Sequence, residues 1–168
     1  LKKVFIGLGS NLGDRLSNLR TALEEMSSLP GTRLLETSST YETLPWGYEN
    51  QPKFLNLVCV VKTSLTPLQL LAELKRIEEG MGRTRSFRYA PRPIDLDILL
   101  WGAEVIASAE LTVPHPQLHL RDFVLRPLTE LNPDLIHPTL KRRVGQLLEM
   151  LEGSKCAPPK SVKQESHQ

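Results

Sequence analysis

The sequence predicts an α+β domain of two layers, one sheet and the helices that cover one of its faces. Three observations predict it. Short β-type apolar runs alternate with stretches whose apolar residues recur every three or four positions. The spacing lacks the regular βαβ repeat of a doubly wound parallel sheet. A length of 168 residues with 40% hydrophobic content suffices for one core and would crowd two.

The elements follow in order. Residues 3–9 form a short apolar strand in which Gly7 and Gly9 leave room for a ligand or a neighbouring element. Asp14 to Leu29 reads as a helix carrying Leu16, Leu19, Leu23 and Met26, stopped by Pro30-Gly31. Leu34 to Tyr41 is a second strand, and Glu42 to Pro52 is a loop unusually rich in aromatics. Phe54 to Val61 returns to a β-type run. Thr66 and Pro67 have the character of an N-cap and first-turn proline for a helix with Leu68, Leu71, Leu74 and Ile77 on one face. Gly80 and Gly82 end it, a second long loop spans Arg83 to Pro93, and Ile94 to Trp101 is a strand. Pro127 and Pro133 suggest an irregular region, Leu140 to Leu151 a final helix. Residues 1–152 are therefore expected to form the domain and residues 153–168 a flexible tail.

Composition narrows the function. Lys and Arg number 21 against 19 Asp and Glu, a formal charge of +2, which does not favour a nucleic-acid binder. No run approaches the roughly 18 to 20 apolar residues of a membrane span. Cys59 lies in an apolar run and Cys156 in a polar tail, so a disulfide framework is not expected and a reducing cytoplasm is. No heptad or apolar stripe calls for assembly, and a monomer is expected.

The chemistry concentrates in one stretch. Asp95 and Asp97 alternate along a strand, so their carboxylates face one side while Leu96 and Ile98 face the core. Such a pair repels itself unless a proton or cation intervenes, and hard oxygen ligands suit magnesium. Arg83, Arg85, Arg88 and Arg92 precede it within ten positions, and guanidinium forks match phosphate oxygens. No GxxxxGK[ST] motif or protein-kinase signature set is present, and Gly7, Gly9 and Gly13 do not make a GxGxxG fingerprint. His115, restrained between Pro114 and Pro116, could donate to a phosphate or satisfy a local backbone acceptor. His119 lacks the further ligands of a zinc site, and Ser10 and Ser39 lack a nucleophile's context. Phe54 and Asn56 share a strand face, which suits a flat hydrogen-bonding heterocycle or plain core packing and turn capping.

Arg88-Tyr-Ala-Pro-Arg-Pro-Ile-Asp-Leu-Asp-Ile-Leu99 resembles the 6-hydroxymethyl-7,8-dihydropterin pyrophosphokinase family in its arginine, proline and paired-aspartate spacing. Gly9-Ser-Asn-Leu12, Gln51-Pro-Lys-Phe-Leu-Asn56, Arg76-Ile-Glu78, Gly82-Arg83 and Leu111-Thr-Val-Pro-His115 match in the family's order, so the resemblance covers about residues 3–150. It implies a ferredoxin-like core with three active-site loops, at about residues 10–14, 43–53 and 83–93. It implies transfer of the β,γ-diphosphate of ATP to the pterin hydroxymethyl oxygen, releasing AMP. By the same resemblance, Asp95 and Asp97 would hold two magnesium ions, and Asp97 would help the substrate hydroxyl lose its proton. Arg83 and Arg92 would stabilise the transferring phosphates, with Arg85, His115 and Arg121 also on the nucleotide. Phe54 and Phe123 would stack on the pterin, Asn56 would bind its polar edge, and Thr43, Leu44, Trp46 and Asp95 would complete the pocket. Arg88 and Tyr89 would serve loop closure, and Glu78 would support the network from outside the metal shell.

Some relatives carry tryptophan at Tyr89, a Pro-Pro-Leu form at Leu44-Pro45-Trp46 and arginine at Glu110; these departures bear on rate and loop motion more than on reaction class. Two other readings use the same residues. A nucleic-acid module built on the arginines would leave Asp95 and Asp97 beside a polyanion, and a phosphate-ligand sensor would keep the pocket without turnover.

Overall fold

The computed structural model describes residues 1–45, 50–82 and 89–156, with the side chains of 155 and 156 excepted. Trp46, Arg83, Arg85 and Arg88 lie outside the described residues, as does the chain beyond 156.

Five strands make the main sheet: β1 (Lys2–Ser10), β2 (Thr32–Thr37), β3 (Tyr41–Thr43), β4 (Phe54–Thr63) and β5 (Asp95–Trp101). Their order is β2-β4-β1-β5, with β3 also on β4, and every pairing is antiparallel. Helices α1 (Arg15–Ser27) and α2 (Pro67–Gly80) follow β1 and β4. This is the ferredoxin-like arrangement, in which two split β-α-β units interleave.

Strand alternation sends Val4, Ile6 and Leu8 of β1 and Leu57, Cys59 and Val61 of β4 to the face covered by α1 and α2. There they meet Leu19, Ala22 and Met26 of α1 and Leu70, Leu74 and Ile77 of α2. Asp14 starts α1 by accepting from Ser17 N–H at 3.1 Å. Thr66 and Gln69 close a reciprocal capping box on α2, with Pro67 in its first turn. Burial pushes the Cys59 thiol up to about 12, so it behaves as an inert core residue.

The opposite face supplies a third layer that the sequence reading did not include. Phe5, Val58, Val60, Leu99 and Leu100 pack there against α3 (Asp122–Leu131) and α4 (Val144–Cys156). The region around Pro127 is helical, contrary to the irregular segment expected. Proline removes only the bond that residue 127 would donate to the carbonyl of 123. Burial of Val124, Leu125 and Leu128 along one side of α3 outweighs that loss.

Two further expectations shift. The strand expected over residues 34–41 is broken at Ser38, whose Oγ accepts from Val58 N–H at 3.0 Å, giving β2 and β3 in its place. The last helix starts at Val144 rather than Leu140, because Lys141 takes a left-handed conformation (φ 59°) and Arg142–Arg143 pairs with Ile136–His137 in a small hairpin. It continues through Gly153 to Cys156, and the rest of the segment expected as a tail lies outside the described residues. Among the described residues, no helix is long and apolar enough to cross a membrane.

Candidate functional site

The register of three strands builds the floor. Gly9 stands between Asn56 of β4 and Asp95 of β5, and Gly7 between Val58 and Asp97. These residues face away from α1 and α2. With no side chain on the middle strand, a trough runs along the sheet between an aromatic-amide wall and a carboxylate wall. A Cβ on Gly9 would stand 2.8 Å from Asn56 Oδ1 and 3.3 Å from Phe54 Cδ1, so glycine is what lets both lie over β1. The cleft above has a volume of about 680 Å³, and Phe54, Asn56, Asp95, Asp97, His115 and Phe123 are among its lining residues.

On one side, Asn56 Nδ2 donates to Thr43 Oγ1 at 2.5 Å, which fixes the amide orientation. Phe54 forms part of this wall, and Phe123, at the start of α3, lines the cleft from another layer. Each ring carries an arginine: Arg92 Cζ lies 5.3 Å from the Phe54 centroid and Arg121 Cζ 5.4 Å from that of Phe123. Leu44 is exposed at the rim of the cleft.

The other side is electrostatic. Burial, reinforced by Asp95, pushes Asp97 up to about 7, with Arg121 and Arg92 pulling in the opposite direction. Such a carboxyl has raised affinity for any cation that reaches it. Arg92 Nε lies 3.7 Å from Asp95 Oδ2, beyond hydrogen-bonding distance, and makes no hydrogen bond. Glu78, buried at the end of α2, spends a carboxylate oxygen on Leu96 N–H at 2.7 Å and so braces β5 between its two aspartates.

His115 is neutral at physiological pH, because burial lowers it to about 4, aided by the nearby Arg121. Its Nδ1 accepts from Gln117 N–H at 3.2 Å, so the ring proton sits on Nε2. Arg121 in turn donates to the Gln117 side chain. One short turn thus sets both cationic-side donors.

Asn11 joins three connections that are distant in sequence. It is buried, donates to Gln51 Oε1 at 2.7 Å and Pro52 O at 3.0 Å, and accepts from Arg92 N–H at 2.9 Å. Its own N–H returns to Arg92 O at 3.2 Å, and Gln51 donates to the carbonyl of Tyr89 at 2.8 Å. Tyr89 itself is left-handed (φ 62°), an uncommon state for an aromatic residue. Asn11→Ala leaves buried polar groups unmet and is expected to cost about 2–3 kcal/mol of stability; urea denaturation would check this, and a loss below about 0.5 kcal/mol would contradict it.

The model of the 7,8-dihydro-6-hydroxymethylpterin-pyrophosphokinase family matches residues 5–133. The chain belongs to that family. It is 45% identical over 139 residues to the 2-amino-4-hydroxy-6-hydroxymethyldihydropteridine pyrophosphokinase of Aquifex aeolicus, covering 83% of this chain and 86% of the relative. The Haemophilus influenzae pyrophosphokinase is 46% identical, over 80% and 84% of the two chains. Other relatives are far longer: the Folic acid synthesis protein fol1 of Schizosaccharomyces pombe is 43% identical across 89% of this chain, which spans only 20% of that protein. Among solved structures, an HPPK-DHPS chain in complex with substrates superposes with a TM-score of 0.74 at 18% identity, over 92% of this chain and 44% of that one, and agrees in fold.

The cleft gathers Thr43, Leu44, Phe54, Asn56, Glu78, Tyr89, Arg92, Asp95, Asp97, His115, Arg121 and Phe123 from the residues singled out in the sequence. Sequence reasoning missed Lys75 and Glu79, which line the cleft from α2, and the tie made by Asn11 and Gln51. Lys75 and Glu79 lie one helical turn apart with Glu78 beside them, a spacing that could have flagged the pair. Bonds between loops leave no such trace.

Proposed function

We propose that the chain transfers the β,γ-diphosphate of ATP to the hydroxymethyl oxygen of 6-hydroxymethyl-7,8-dihydropterin, giving the pterin diphosphate and AMP. The carrying observation is the trough in which Gly7 and Gly9 separate Phe54 and Asn56 from Asp95 and Asp97. A flat heterocycle between Phe54 and Phe123, its polar edge on Asn56, would bring its hydroxymethyl arm toward the carboxylates.

The carboxylate pair fits magnesium. No group of three or more metal-ligating side chains occurs among the described residues. Two aspartates are what a cation needs from protein when phosphates and water supply its other ligands. Two magnesium ions held by Asp95 and Asp97 with the ATP phosphates would neutralise charge on the phosphates and polarise the bond to be broken. The chain's own residues do the rest. Asp97 takes up the hydroxyl proton from its place beside Asp95 on β5. Arg92 presents its guanidinium to the transferring group, and Arg121 and the Nε2–H of His115 hold the nucleotide phosphates. Arg83 and Arg85 are assigned to the same phosphates and Trp46 to the pterin pocket, with Arg88 and Tyr89 in loop closure.

Purified protein given ATP, magnesium and the dihydropterin should form AMP, and only when all three are present. Binding of both substrates without AMP would replace this reading with that of a ligand sensor. Gly9→Ala should weaken dihydropterin binding at least about tenfold, because the new methyl displaces Asn56 and Phe54, while the melting temperature changes little. Fluorescence titration beside a thermal melt separates the two, and undiminished pterin affinity would contradict the proposed floor.

A further inference from the structure

Helix α3 packs Val124, Leu125 and Leu128 on the sheet, and its two ends reach different surroundings. Phe123 lines the cleft at its N-terminal end. Glu130 lies seven residues on, which returns to nearly the same side of the helix roughly 10 Å along its axis. Its carboxylate is exposed to solvent, yet it gathers a cluster of hydrogen bonds. It accepts from Ser39 N–H at 3.0 Å, from Ser39 Oγ at 3.0 Å and from Tyr41 Oη at 2.5 Å.

Those donors belong to the strand corner that carries the opposite wall. Tyr41 pairs directly with Asn56 across β3 and β4, and Thr43 pairs with Phe54. Residues paired across strands share a face, so Tyr41, Thr43, Phe54 and Asn56 present one surface. Thr43 Oγ1 holds the amide of Asn56. Ser38, beside Ser39, is bound to Val58 through both its N–H and its Oγ. The corner is thus fastened to β4 below and to α3 above. Between Phe123 and Glu130 lies Pro127, which withholds one helical hydrogen bond from the turn that carries Phe123. Packing and the Glu130 contact therefore add to the remaining ladder, which includes Leu125 N–H to Arg121 O at 3.0 Å, in holding that turn.

We infer that Glu130 is a positioning residue for the flat substrate: its clasp on Ser39 and Tyr41 sets the gap between Phe123 and the Phe54–Asn56 wall. The substrate class is a planar heterocycle, and the inference rests on the proposed pyrophosphokinase reading. A stacked ring tolerates little change in that gap; on the phosphate-binding side Asp95, Asp97 and His115 stand on other elements, and Arg121, at the N-cap of α3, is the residue there nearest the clasped helix.

The test measures affinity for each substrate separately, with thermal melts alongside, in Glu130→Gln, Glu130→Asp, Tyr41→Phe and the Glu130→Gln/Tyr41→Phe double variant. Glu130→Gln keeps one acceptor oxygen, replaces the other with an amide donor and removes the charge, and its Kd for the dihydropterin should rise about tenfold with ATP affinity within about twofold. Tyr41→Phe should rise less, the double variant should not exceed Glu130→Gln alone, and Glu130→Asp should fall between Glu130→Gln and wild type. Lowered melting temperature with unchanged pterin affinity, or equal weakening of both substrates, would overturn the inference and leave the clasp purely structural. Wild-type protein that failed to bind the dihydropterin would overturn the functional reading and this inference with it.

Discussion

Asp97→Asn is expected to abolish turnover, by at least about a thousandfold, and at the same time to stabilise the ligand-free protein above neutral pH. Both effects have one origin. Burial, with Asp95 beside it, raises Asp97 from an ordinary carboxyl to about 7. The folded protein therefore binds this proton more tightly than the unfolded chain, and stability falls as pH rises from about 4 to 7. Above that range the whole penalty is present. Asparagine cannot ionise and escapes it, while it also loses the charge that a cation and the departing hydroxyl proton require. The melting temperature of the variant should exceed that of wild type by at least about 3 °C at pH 8, corresponding to roughly 1 kcal/mol, and the gap should close toward pH 4. Magnesium with a non-hydrolysable nucleotide should stabilise wild type and not the variant. A variant that turns over at near-normal rates would sink the proposed role, and one less stable than wild type at pH 8 would contradict the electrostatic account.

Arg92→Ala should lower kcat by about a hundredfold or more while changing dihydropterin affinity less than about threefold. The guanidinium is held without being consumed. Asn11 fixes the backbone on both sides of its peptide, Nη1 donates to Ala90 O at 3.0 Å, and Nε makes no hydrogen bond. Its packing over Phe54 explains the small affinity term that remains. Arg92→Lys should recover only part of the rate, because an ammonium lacks the planar fork. Single-turnover kinetics would separate chemistry from binding, and a loss confined to pterin affinity would refute the assignment.

Much of the cleft was legible because strand alternation is a strict rule. Asp95 and Asp97 on one side, Phe54 and Asn56 on another, and bare Gly7 and Gly9 between them follow from a period of two once the strands are placed. The apolar faces of α1 and α2 were readable in part with a period near four: Leu19, Met26, Leu74 and Ile77 are buried as expected, whereas Leu16 and Leu68 are exposed and Ala22 and Leu70 take core positions. What escaped was decided by contacts rather than by period. Pro127 masked α3 because a local penalty is visible in sequence and the burial of Val124, Leu125 and Leu128 that offsets it is not. The break at Ser38 depends on one hydroxyl reaching Val58. Asn11 sits in a stretch noticed for its family motif, but its bonds to Gln51, Pro52 and Arg92 cross about 40 and 81 positions. Only the folded chain brings those partners together.

The alternation in β1 also divides how the protein should tolerate random change. At Val4, Ile6 and Leu8, apolar exchanges alter packing, and their harm would appear as less protein in the cell. At Gly9, and to a lesser degree Gly7, a side chain enters the trough instead of the core, and the added bulk falls on residues of the cleft. Variants there should accumulate to normal abundance and still fail to support growth that depends on them. In a library scored for both abundance and activity, Gly7 and Gly9 would separate from Val4, Ile6 and Leu8 on the same strand.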